Sequence, residues 1–106
     1  MQVALLEWKS IPKNSLRGFA TIRLGKSMKI KDVSVHCSHG KRWASMPSKP
    51  MMNSEGVAQR DDRSRIKYVP LIEWLDRTVA DDFSESVVAA VEAQYPGQTA
   101  SDYAGG

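Results

Sequence analysis

Leu16-Arg17-Gly18-Phe19-Ala20-Thr21-Ile22-Arg23-Leu24, then Gly25-Lys26-Ser27, then Met28-Lys29-Ile30-Lys31-Asp32-Val33-Ser34-Val35-His36-Cys37, is the stretch that decides the fold. In its first part Ala20, Ile22 and Leu24 fall on one side of an extended chain, and Phe19, Thr21 and Arg23 on the other. A period of two is the mark of a half-buried strand, and the purely aliphatic side is the core side. Gly25-Lys26-Ser27 makes a hairpin turn. In the second strand the apolar parity slips, from Met28 and Ile30 to Val33, Val35 and Cys37. One extra residue near Lys31-Asp32, a β-bulge, keeps both apolar sets facing inward.

Working outward, Met1 to Ile11 holds Val3, Leu5, Leu6, Trp8 and Ile11 and runs into the turn formers Pro12-Lys13-Asn14-Ser15, which predicts a strand and a turn. On the other side Ser38-His39-Gly40-Lys41 is a turn, and Arg42 to Pro47 a strand stopped by Pro47 and Pro50. Consecutive strands with short turns make an antiparallel meander. Met51 to Arg65 is polar and shows neither period, so a long mobile loop is expected there. Ile66 to Trp74 alternates again, but Pro70 removes a ladder donor, which predicts an edge strand or a broken one.

The last element is a helix. Asp76 is a good N-cap, and Val79, Phe83, Val87, Val91 and Tyr95 recur every fourth residue, with Ala80, Val88 and Ala90 flanking the stripe. Asp81, Asp82 and Glu85 lie in its N-terminal half, and Pro96-Gly97 ends it. The expected fold class is therefore α+β: a meander of four to five strands followed by one C-terminal helix. At 106 residues and 42% hydrophobic, the chain supplies one core. Residues 1–97 are read as a single domain and 98–106 as a flexible tail. Four or five strands and one helix leave much apolar surface uncovered, so a homodimer is expected.

Cys37 is the only cysteine, so no internal disulfide forms, as befits a reducing compartment. The longest uncharged apolar stretch, Val87 to Val91, is far short of the roughly 20 residues that span a bilayer, and no signal-peptide pattern opens the sequence. A cytoplasmic protein without membrane association is expected. The formal net charge of +3 conceals an uneven distribution. Residues 1–50 carry ten Lys or Arg against two acids, a balance of +8, and the remainder five against ten, or −5. Such a split suggests one surface for a polyanion and another facing elsewhere.

Enzyme chemistry finds little support. There is no phosphate-binding glycine loop, nucleophile elbow or His-Glu-x-x-His. His36, Cys37 and His39 crowd together, but a strand sends His36 and Cys37 to opposite faces and the chain has no further Cys or His to complete a zinc site. Adjacent Asp61 and Asp62 read as solvated loop acids. The sequence points to no catalytic residue, no metal and no cofactor.

Nucleic acid is the better match. Arg17, Arg23, Lys29, Lys31, Lys41 and Arg42 lie on or beside the central strands, with Lys49 just beyond, all suited to phosphates. Phe19 and Trp43 have parities that let them share a face with some of these cations, where they would stack unpaired bases or fill a second apolar layer or dimer interface. This reading requires the cations, Arg23, Lys31 and Arg42 above all, to converge in space; were they far apart, it would have to be dropped. The alternative is a protein-interaction module that docks a partner through its acidic helix or an open sheet edge, with no nucleic-acid role.

Arg17-Gly18-Phe19-Ala20-Thr21-Ile22-Arg23-Leu24, Ile30-Lys31-Asp32-Val33-Ser34-Val35, Gly40, Ala44 and Met46-Pro47-Ser48-Lys49 together resemble the stage V sporulation protein G family of small bacterial septation regulators. The resemblance covers about a third of the chain well. It implies a dimeric α+β fold and sequence-preferring binding of DNA and RNA in a transcription-regulatory role, here in a divergent relative of phage or mobile-element origin. The chain departs from that family after Met46-Pro47-Ser48-Lys49: where the family has a His-Pro step and an early helix Arg, Pro70 and Arg77 are the candidate counterparts, but Val69 replaces the His and the spacing to the helix differs, so the DNA-contacting residues near that helix are not carried over. The curved-sheet fold of transcriptional-coactivator-type single-stranded-DNA-binding proteins is similar in its order of elements.

Overall fold

The computed structural model describes residues 1–100. In chain order the elements are β1 (Val3–Lys13), β2 (Leu16–Leu24), β3 (Met28–Ser38), β4 (Lys41–Ser45), β5 (Ser48–Pro50), β6 (Tyr68–Pro70) and α1 (Arg77–Gln94). β1 to β4 form an antiparallel sheet in sequence order, and β5 and β6 form a separate two-stranded sheet. This is the expected α+β meander and helix, with the strands after Pro47 moved into an arm of their own.

The hairpin at the centre follows its parity. Ala20 lies opposite Val33 and Ile22 opposite Ile30, so three steps along β3 match two along β2, and Asp32 takes a left-handed φ of 60°. The bulge at Lys31-Asp32 thus returns Val33 and Val35 to the face of Ile30. β1 runs two residues past its expected end, through Pro12 and Lys13, because the left-handed residue of the turn is Asn14, with φ 55°. Asn tolerates that conformation better than most side chains.

One face of the sheet is covered by α1. Asp76 caps the helix by accepting the Thr78 N–H at 2.8 Å. Phe83, Val87 and Val91 are buried against Leu5, Ala20, Ile22, Ile30, Val33, Val35 and Ala44, while Val79 and Tyr95, at the ends of the stripe, are only partly covered. Each such large side chain contributes roughly 1.5–3 kcal/mol through removal from water. The helix touches both β1 and β4, and the Ser84 hydroxyl accepts the Ala44 N–H at 2.8 Å, satisfying a backbone donor of the edge strand. Gly18 lies under Trp8: a Cβ there would meet the indole ring at 2.7 Å and the Lys9 carbonyl oxygen closer still.

Residues 51–67 are not an unpaired loop. Around Met51, Gln59 and Lys67, each N–H donates to the carbonyl of another of the three, at 2.8–3.0 Å, closing a ring of three backbone hydrogen bonds. Two like turns grow from it. Asn53 Oδ1 accepts from the N–H groups of Glu55 and Val57, and eight residues on Asp61 Oδ1 accepts from those of Arg63 and Arg65. Gly56 and Ser64, again eight apart, supply the left-handed residue of each turn. The edge strand expected over Ile66 to Trp74 shrinks to Tyr68–Pro70, after which the chain bends towards α1.

The C-terminal segment also departs from expectation. Thr99 is fully buried, its hydroxyl donates to Glu92 at 2.6 Å, and the Trp8 indole donates to Gln98. The tail expected from residue 98 is therefore packed as far as residue 100, and residues 101–106 lie outside the described residues. No helix among the described residues is long and apolar enough to cross a membrane.

Candidate nucleic-acid interface

Directly paired residues of an antiparallel ladder point to the same face, so the register sorts every candidate side chain. Lys9 pairs with Phe19, Phe19 with Ser34, and Ser34 with Ser45, a row crossing all four strands on the face that α1 leaves open. Towards the Gly25 turn the same face carries Arg23, paired with Lys29. Lys29, Lys31 and Asp32 line a shallow depression of about 340 Å³ with Leu6, Glu7 and Thr21. Towards the opposite end the face carries His36 paired with Trp43, and Ser38 paired with Lys41.

The aromatic centre of this face is built rather than incidental. His36 and Trp43 stack with ring centroids 5.3 Å apart and planes 11° from parallel. Both imidazole nitrogens have hydroxyl neighbours, Ser34 at 3.0 Å and Ser15 at 3.5 Å, and burial holds the His36 pKa below its ordinary value, which favours the uncharged ring. Phe19 and Trp43 are half-buried. Lys9, Arg23, Lys29, Lys31 and Lys41 are exposed and form no ion pair among the described residues.

Three candidates leave the set. Arg42 pairs with buried Cys37, which places it on the helix-covered face, 3.3 Å from the Thr99 hydroxyl and 3.9 Å from the Glu92 carboxylate. Hydrogen bonds from Thr99 first and Gly97 next, with Arg42 adding its charge, hold the Glu92 pKa below the usual carboxylate range. Arg42 thus fastens β4 to the C-terminal segment. Arg17 is 3% exposed, because a slip of register between Leu16 and Gly18 turns it beneath the sheet end, where its guanidinium donates to the Asn14 carbonyl. Lys49 is exposed but stands on β5, outside the main sheet. The required convergence of Arg23, Lys31 and Arg42 is therefore not met: Arg23 and Lys31 share a face and Arg42 lies on the other.

Two residues join instead. Lys9 sits opposite Phe19, and His36 backs Trp43; the bulge that sets the register of Lys9, between Leu5 and Glu7, has no sequence signal. Beside the open face the arm adds a wall. A groove of about 740 Å³ runs between Phe19, Ser34, His36 and Ser45 on the sheet and Ser48, Tyr68, Pro70 and Ile72 on the other side. Asp32 and Glu73 also line it.

The open face thus combines five free cations, an aromatic centre and a lateral groove. No protein-family model, curated protein or solved structure matches the chain, so its function is argued from its own residues.

Proposed function

We propose that this protein binds single-stranded nucleic acid, DNA or RNA, across the open face of its sheet, in a regulatory rather than an enzymatic role. The observation that carries the reading is the division of the sheet. One face is filled by α1, while the other presents Lys9, Arg23, Lys29, Lys31 and Lys41 around Phe19 and the His36–Trp43 stack. The convergence of Arg23, Lys31 and Arg42 fails, so the reading in the form the sequence suggested is dropped; the one proposed here rests on Lys9, Arg23, Lys29, Lys31 and Lys41 alone and needs neither Arg17 nor Arg42. Cations track phosphates without regard to sequence, and an exposed ring face stacks on any unpaired base, worth about 1–3 kcal/mol per base. A duplex hides its base faces, which favours single strands.

Labelled single- and double-stranded DNA and RNA, titrated by fluorescence anisotropy, test this. Single strands bind more tightly than duplex. The triple variant Arg23→Ala, Lys29→Ala, Lys31→Ala weakens binding alike on all sequences, and Phe19→Ala weakens single strands alone. Equal affinity of wild type and triple variant for every ligand sinks the reading.

A protein-interaction role has one observation in its favour: Tyr68, Leu71, Ile72 and Leu75 expose 48–103% of their surface in one short stretch, which a second copy of the chain or another protein would cover. A homodimer built this way is compatible with the nucleic-acid reading. Light scattering distinguishes dimer from monomer, and a partner retained after nuclease treatment and high salt favours the interaction role.

A further inference from the structure

The groove between the sheet and the arm differs in charge from the face beside it. Its lining holds two carboxylates, Asp32 and Glu73, and no Lys or Arg among the described residues. Both acids are exposed, and neither forms an ion pair among the described residues. The arm supplies no counter-charge at its base: Lys49 pairs with Val69, one residue out of phase with Ser48, Tyr68 and Pro70, so it points away from the groove that those three line. Such a lining repels phosphates and attracts cations. We propose that the groove is a docking site for an extended basic segment of a partner protein, whose Lys or Arg side chain meets Asp32 and Glu73. This site is separate from the nucleic-acid face and does not rest on that reading.

Three further features fit a peptide better than a small amine. Phe19, Tyr68 and Trp74 line the groove with the acids. Aromatic faces attract a cation, and the methylene stem of Lys or Arg packs on apolar surface while its charged head reaches a carboxylate. The Trp74 indole N–H is buried and has no hydrogen-bond partner among the described residues. A buried donor left unpaired is costly, and a peptide carbonyl is the acceptor that a simple amine lacks. At the rim, Tyr68 and Ile72 expose 59% and 48% of their surface, which apolar side chains flanking the basic residue would cover. The groove's volume of about 740 Å³ lies within the roughly 300–1,000 Å³ of sites that take drug-sized ligands, room for a short peptide.

The test titrates the full, isotope-labelled chain with acetyl-Leu-Lys-Leu-amide, and with the same peptide carrying Glu or norleucine in place of Lys, followed by NMR. The lysine peptide should bind several-fold more tightly than the other two and shift the Trp74 indole N–H resonance, which is assigned by its loss in Trp74→Phe. Glu73→Gln and Asp32→Asn should each weaken the lysine peptide several-fold and leave the norleucine peptide as it was. Both changes keep the side-chain shape, and Asn tolerates the left-handed backbone of position 32. No shift at Trp74 with any peptide, equal affinity for all three, or an unchanged lysine-peptide affinity in both acid variants overturns the proposal. So does a wild-type dimer, seen by light scattering, that falls to monomers in Glu73→Gln, because a second copy of the chain then fills the groove.

Discussion

The two faces of the main sheet are made by the same strands from alternate residues, yet they do opposite things. On the covered face Ala20, Ile22, Val33 and Val35 are at most 1% exposed and meet Phe83, Val87 and Val91. On the open face their immediate neighbours Phe19, Arg23, Ser34 and His36 lie outside the core, half-buried or exposed. Even the arginines divide: Arg42, on the covered side, is a fastener, and Arg23, on the open side, is free. A residue's chemistry does not decide its role here. Its parity does.

This contrast is broken most severely from the covered side. Phe83→Ala should cost about 3–5 kcal/mol in urea unfolding, since the ring is buried against the sheet and tilts against Trp74 at 5.6 Å. Loss of binding in that variant should parallel loss of fold. Gly18→Ala, overpacked against Trp8 and the Lys9 carbonyl, should cost about 1–3 kcal/mol, read as a lower midpoint with an unchanged denaturant slope.

Arg42→Ala sharpens the comparison. It should lower stability by about 1 kcal/mol or less, since its ion pair is partly exposed, and leave oligonucleotide affinity untouched. The smallest effect concerns acid. Glu92 has a folded pKa below its unfolded one, so its contribution is present above the carboxylate range and lost as pH falls through the folded value. Between neutral pH and about pH 3, wild type should therefore lose more thermal stability than Glu92→Gln.

Much of this was legible. The period of two through β2 and β3, the bulge at Lys31-Asp32, the Asp76 cap and the four-residue stripe of α1 all carry local signals, and those signals agree with the packing. Arg42 was legible too, in retrospect: it stands next to Trp43 in a strand, so the two cannot share a face. Arg17 was not, because a slip of register overrides parity at Leu16–Gly18. Nor was Lys9, since the bulge after Leu5 depends on pairing with a distant strand. The arm hid in a short period: Asn53 and Gly56 recur as Asp61 and Ser64 at a spacing of eight, a repeat of turn chemistry rather than of hydrophobicity. The fixed tail owes its place to Thr99, Glu92 and Arg42, three residues that meet only in the folded chain.

Salt dependence measures the role of the open face directly. The logarithm of the affinity of wild type for a single-stranded oligomer should fall linearly with the logarithm of salt concentration, by roughly 0.7 for each phosphate contacted. Arg42→Ala should keep that slope, and the Arg23, Lys29, Lys31 triple variant should flatten it by about 2. An affinity indifferent to salt, or a slope that changes with Arg42 and not with the triple variant, would contradict the account.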